Sequence, residues 1–158
     1  MKKPLPFLFA AFFPLVVQAA SVGKEGFDNI RQCVMQNDST LCNKTTTDNS
    51  HDILQRFMSY KLMPCLPTNF SYVSESQEGA YSIVRSSMPA GGGKTHYFRM
   101  AFTGEPGNVK ADIPESLRIG LGEKWENKIQ MAEQIFLMLQ ANAGGSIKCD
   151  QLTGLVKK

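Results

Sequence analysis

The spacing of hydrophobic residues changes along the chain from a helical period to the period of a β-strand. Phe27, Ile30 and Val34 recur at helical spacing within residues 24–36, which predicts a short amphipathic helix. A second helix is predicted over residues 50–62, after a stretch rich in Asn, Asp, Ser and Thr that predicts a loop. The N-terminal part is therefore expected to form two helices.

Residues 69–113 alternate between apolar and polar side chains, as strands with one buried face do. This alternation predicts a four-stranded antiparallel meander. The apolar side of that sheet is expected to carry Phe70, Tyr72, Tyr81, Ile83, Phe98, Met100, Phe102, Val109 and Ile113.

The last hairpin of the meander has a predicted register. A turn at residues 104–107 would pair Phe102 with Val109 on the apolar side and Arg99 with Asp112 on the polar side. This register collects the apolar side chains on one face and places opposite charges across from each other on the other face.

A long helix is predicted from about residue 123 to residue 142, after the interruptions at Gly120 and Gly122. One stripe of this helix is expected to lie on the sheet and contains Trp125, Ile129, Ala132, Phe136 and Leu139. The predicted fold class is thus α+β: two N-terminal helices, a four-stranded antiparallel meander, and a long C-terminal helix packed on one sheet face.

This order of elements resembles the cystatin-like and NTF2-like α+β folds. The resemblance is one of architecture only, because no motif of either family carries it. It therefore implies no site residues for this chain.

The first nineteen residues have the three parts of a secretory signal peptide. Lys2 and Lys3 precede the uncharged apolar run at residues 4–17, and small side chains follow at the expected cleavage site. The run is shorter than the roughly 20 residues that a membrane-spanning helix needs. We therefore expect residues 1–19 to be removed and residues 20–158 to form a single domain in the periplasm or outside the cell.

The four cysteines, Cys33, Cys42, Cys65 and Cys149, predict two disulfides in an exported chain. If the first two helices are antiparallel, Cys65 lies roughly 18 Å from Cys33, at about 1.5 Å per helical residue. A disulfide needs Cα atoms within about 7 Å. We therefore predict the pairs Cys33–Cys42 and Cys65–Cys149.

Charge and motifs exclude several classes of function. The chain has 17 basic and 14 acidic residues, and Lys2 and Lys3 would leave with the signal peptide, so the domain is not basic enough to favour nucleic acid. The cysteines lack the paired spacing of a metal site, and no nucleophile-elbow, HExxH or phosphate-loop motif is present. No metal, cofactor or membrane insertion of the domain is predicted, and catalysis is not favoured.

Two surfaces are candidates for binding. Met131, Ile135 and Met138 form a second apolar stripe on the long helix, which is either covered by the N-terminal helices or is a contact surface. On the polar face of the sheet, Tyr97, Arg99 and Asp112 include residue types that are favoured in protein interfaces.

The sequence therefore predicts an exported, non-catalytic binding protein that contacts another protein or a second copy of itself. An inhibitor, an immunity-type protein or an accessory subunit would fit. The alternative is a small-molecule-binding or hydrolytic domain with a pocket near His96, which the predicted register places opposite Glu115.

Overall fold

The computed structural model describes residues 21–59, 69–89 and 91–142. Within them the helices are α1 (Val22–Gln36), α2 (Ser39–Thr45), α3 (His51–Ser59), α4 (Ile113–Leu121) and α5 (Trp125–Asn142). The strands, in their order across one antiparallel sheet, are β1 (Ser71–Glu78), β2 (Tyr81–Pro89), β3 (Thr95–Thr103) and β4 (Lys110–Asp112). The predicted α+β class and the four-stranded meander are confirmed. The predicted signal peptide lies outside the described residues and stays a prediction.

Helix α1 covers one face of the sheet, which we call the inner face, and contacts all four strands. Phe27 and Ile30 of α1 are buried in one core with Val84 and Phe102 of the sheet. The predicted packing of the C-terminal helix on a sheet face is not observed, because the main contact of α5 is with α4 and not with a strand. The apolar stripe of α5 is directed elsewhere, and Phe136 is the one residue of α5 in the buried class.

Two glycines allow α1 to approach the sheet closely. A Cβ atom at Gly26 would lie 2.8 Å from Val109 Cγ1 and closer still to the Phe102 ring, and one at Gly23 would lie 2.6 Å from Val84 Cγ2. Real side chains do not occupy such distances. The glycine positions of α1 are therefore a steric requirement for its contact with the sheet.

A carboxylate on β1 holds the N-terminus of α1 in place. Glu75 accepts hydrogen bonds from the Ser21 hydroxyl, from the Gly23 N–H at 3.1 Å, and from the hydroxyls of Ser82 and Tyr72. Partial burial acts to raise the pKa of Glu75, but these hydrogen bonds outweigh it, so the pKa lies below the ordinary value of 4.5. The positive end of the helix dipole further suits an anion at this position.

The predicted register of the last hairpin is wrong by two residues. Phe102 pairs with Ala111, and Ala101 pairs with Asp112, because the connection runs to residue 109 and uses positive φ angles at Gly104 and Gly107. A shift of two residues keeps each side chain on its face but changes its partner.

The charge partner of Arg99 changes with that register. Arg99 does not face Asp112; it forms an exposed ion pair with Glu78 of β1.

The second face of the sheet, which we call the outer face, is partly covered by α4. Ile83 pairs with Ala101 and both are buried there, so Tyr81 and Ile83 lie opposite the face predicted for them. The Ala101 N–H donates to Ser116 Oγ at 2.9 Å, which ties α4 to β3. The sequence did not predict α4, which begins directly after β4 with a proline in its first turn, where proline is tolerated.

The stretch predicted as a loop after α1 contains the short helix α2. Asp38 caps this helix by accepting hydrogen bonds from the N–H groups of Thr40 and Leu41. The buried disulfide Cys33–Cys42 then ties α2 to the end of α1, with Cα atoms 5.0 Å apart, and confirms that predicted pair. The second predicted pair, Cys65–Cys149, lies outside the described residues.

The steric role of Gly26 predicts opposite effects for two Gly→Ala substitutions in helices. Gly26→Ala should lower the free energy of unfolding by about 1–3 kcal/mol, because its Cβ overpacks the core. Gly120→Ala in α4 is the control, since nothing lies within 4 Å of a Cβ there. It should raise stability by up to about 1 kcal/mol through helix propensity. Urea unfolding measures both, and a stabilising Gly26→Ala would contradict the close approach of α1.

The lowered pKa of Glu75 predicts a pH-dependent contribution to stability. A glutamate whose pKa is lowered by folding stabilises the native state above about pH 4.5 and loses this effect as the pH falls through the folded pKa. Glu75→Gln should therefore be less stable than the wild type at about pH 7, and the difference should shrink at about pH 3. Thermal melts at both pH values measure this difference. An unchanged difference would show that the charge of Glu75 is unimportant.

Candidate functional site

The second apolar stripe of α5 is exposed. Met131, Ile135 and Met138 retain 63%, 46% and 64% of their accessible surface, and neighbouring Leu137 is also exposed. The three residues lie at i, i+4 and i+7, so they share one side of the helix. We call this surface the outward face of α5. The alternative expectation, that the N-terminal helices cover the stripe, is not met.

The opposite side of α5 is directed towards α3 and α4. Phe136 is buried, while Trp125 and Ile129 are partly buried and border a groove between these three helices. An ion pair of 3.4 Å between Arg56 of α3 and Glu133 of α5 crosses the same groove. Helix α5 therefore presents two chemically different sides, one lining a groove and one facing outward.

The groove has a volume of about 540 Å³. Its apolar wall is formed by Ile53, Pro114, Trp125 and Ile129, and its polar lining by Asn49, Asp52, Arg56, Glu126, Gln130 and Glu133. Among its described residues, three carboxylates and one guanidinium give the lining an excess of negative charge. With six polar and four apolar residues among those described, the lining is more polar than that of a typical small-molecule pocket.

This groove was not predicted from the sequence. The signal available was Glu133, which lies eight residues after Trp125 on the flank of the apolar stripe, where a charge is unexpected. Its partner Arg56 is on another helix, and no spacing rule connects the two positions.

The exposed part of the outer sheet face carries Tyr97 and two arginines. The Arg85 guanidinium lies 4.2 Å from the centre of the Tyr97 ring, and the ring itself is 56% exposed. Arg99 lies beside them and binds Glu78. The structure therefore brings Tyr97 and Arg99 together as predicted, and adds Arg85 to the patch.

Asp112 lies apart from that patch and is only 5% exposed. It caps α4 by accepting the Glu115 N–H at 3.0 Å, and it also accepts the Tyr81 hydroxyl at 3.2 Å. Burial, followed by the charge of Asp112, raises the pKa of Tyr81. The position of Asp112 fits a structural role in starting α4.

The predicted juxtaposition of His96 and Glu115 is not formed. His96 pairs with Met88 of β2, whereas Glu115 lies in α4 and binds Arg118 through two short hydrogen bonds. The Arg118 guanidinium lowers the pKa of Glu115. The cause is the shortness of β4, which ends at Asp112 and does not extend along β3 as far as His96.

The described part of the chain offers neither a metal-ligand cluster nor a membrane-spanning helix. No group of three or more His, Cys, Asp or Glu side chains there is arranged to hold a metal ion. None of the helices in these ranges is both long enough and apolar enough to span a bilayer.

The outward face of α5, the groove beneath that helix and the Tyr97 patch are thus the candidate sites. Comparison with known proteins assigns none of them: no family model, no curated protein and no solved structure matches this chain.

Proposed function

We propose that this is an exported, non-catalytic binding protein that contacts an apolar helix of a partner protein through the outward face of α5. The observation that carries the proposal is the exposure of Met131, Ile135 and Met138 on one side of a helix. Large apolar side chains grouped on a surface commonly mark contact sites. Methionine adapts its shape to a partner because its side chain is unbranched and flexible.

The spacing on α5 supports a helical partner. Positions i, i+4 and i+7 form the seam along which two helices interlock their side chains. The seam is uncharged, and Glu133, the single charged residue between Met131 and Met138, lines the groove on the other side. A partner helix would therefore need an apolar stripe of similar length and no matching charges.

The predicted place of action is the periplasm or the cell exterior. The proposal rests on the signal-like residues 1–19, and the Cys33–Cys42 disulfide is compatible with an oxidising compartment. An inhibitor, an immunity-type protein or an accessory subunit would act in this way. The Tyr97 patch offers a second contact surface for the same function, since Tyr and Arg are frequent interface anchors.

The hydrolytic alternative near His96 has lost the arrangement that motivated it, because β4 ends at Asp112 and Glu115 lies in α4 instead of opposite His96. Small-molecule binding remains a separate proposal and concerns the groove.

The outward face predicts that a charge placed on it blocks binding without unfolding the protein. Met131→Lys and Met138→Lys should change the melting temperature by less than about 3 °C, because the new charge stays in solvent. Each should abolish capture of a partner from an extract of the native host. Gln55→Lys is the matched control, since it adds the same charge at an exposed position of α3 outside the groove lining.

Light scattering on the same variants distinguishes a partner protein from self-association. A wild-type dimer that both Met→Lys variants convert to monomers would identify a second copy as the occupant. Unfolded Met→Lys variants, or variants that capture the same proteins as the wild type, would contradict the proposed surface.

A further inference from the structure

We propose that the groove between α3, α4 and α5 binds an organic cation, with an ammonium or guanidinium group at Glu133 and an apolar portion against Trp125. This site is distinct from the outward face of α5 and does not depend on a partner protein. Three observations lead to it.

The first observation is a carboxylate oxygen without a partner. The Glu133 side chain is only 11% exposed, and its Oε2 accepts one long contact of 3.4 Å from Arg56. Its Oε1 is fully buried and has no hydrogen-bond donor. A buried carboxylate oxygen normally has a donor, because leaving it unpaired costs free energy. Glu133 lines the groove, and a rotation of its carboxylate would bring this oxygen to an N–H group of a ligand bound there.

The second observation is the charge of the lining. Among the described residues of the lining, Asp52, Glu126 and Glu133 are opposed by Arg56 alone. Arg56 is about half exposed and its contact with Glu133 is long, so it neutralises the groove only in part. The field in the groove therefore favours a cation and disfavours an anion.

The third observation is the aromatic wall. Trp125 and Ile129 line the groove beside the acidic groups. An indole ring attracts ammonium and guanidinium groups through its negative face, and it packs equally well against methylene groups. A polyamine and a Lys or Arg side chain of a peptide share this chemistry. The volume of about 540 Å³ is large enough for either.

The single tryptophan of the chain makes the test direct, since its fluorescence reports on this groove alone. The full mature protein is titrated with spermidine, and separately with an acetylated, amidated Ala-Lys-Ala peptide, at constant ionic strength. A saturable change in Trp125 fluorescence is expected with at least one probe, and isothermal calorimetry should give the same Kd. The probe that binds more tightly identifies the source of the cation.

Two variants in the groove should shift the affinity in opposite directions. Glu133→Gln removes the acceptor charge and should weaken binding by about tenfold or more. Arg56→Gln removes the guanidinium that competes with the ligand for Glu133 and should tighten binding by a few-fold. The effect is small because an ion pair as exposed as this one is weak. Glu105→Gln, an exposed carboxylate in the loop before β4, is the control and should leave Kd unchanged.

Opposite shifts for Glu133→Gln and Arg56→Gln, with no shift for the control, would establish the site. No saturable response to either probe would overturn it. An equal affinity for the wild type and Glu133→Gln would also overturn it. If Glu133→Gln fails to fold, Arg56→Gln still tests the site, because Arg56 is exposed and its substitution should not unfold the protein.

Discussion

The close contact between α1 and the inner face of the sheet is the constraint on which the rest of the structure depends. Gly23 and Gly26 bring the helix backbone against Val84 and Phe102, at a distance that no larger residue would permit. Glu75 then fixes the N-terminus of the helix by hydrogen bonds, and the Cys33–Cys42 disulfide fixes its C-terminal end to α2. Cys42 of α2 and Leu54 of α3 are buried in the same core and complete it.

The peripheral position of α5 follows because α1 already occupies the inner face of the sheet. With α1 on the inner face and α4 on part of the outer face, α5 lies at the periphery, in contact with α4 and facing α3 across the groove. One of its sides borders a groove that contains a buried acceptor at Glu133, and the other exposes Met131, Ile135 and Met138 to solvent. A core helix would use both apolar stripes for stability. Here one stripe stays exposed to solvent, and the proposed binding function rests on this exposure.

The sequence predicted those features that depend on local periodicity. The period-two alternation predicted the meander, and the spacing of Met131, Ile135 and Met138 predicted a second apolar stripe on the long helix but left open whether it is covered. The sequence did not predict which helix packs on the sheet: the Trp125 stripe of the C-terminal helix was expected there, whereas α1 occupies the inner face. The deciding signal was the absence of side chains at Gly23 and Gly26, which periodicity does not score. The groove was missed because Arg56 and Glu133 are brought together only by the packing of two helices.

Hydrogen exchange of the full chain, measured by mass spectrometry on peptides from α1, β3 and α5, tests most directly whether α5 lies outside the stable core. Amides in core elements exchange only through global unfolding, whereas peripheral elements open locally at lower cost. Peptides of α1 and β3 should therefore share the highest protection, and those of α5 should exchange well before them. Equal protection of α5 and β3 would show that α5 is an integral part of the core and would contradict the account.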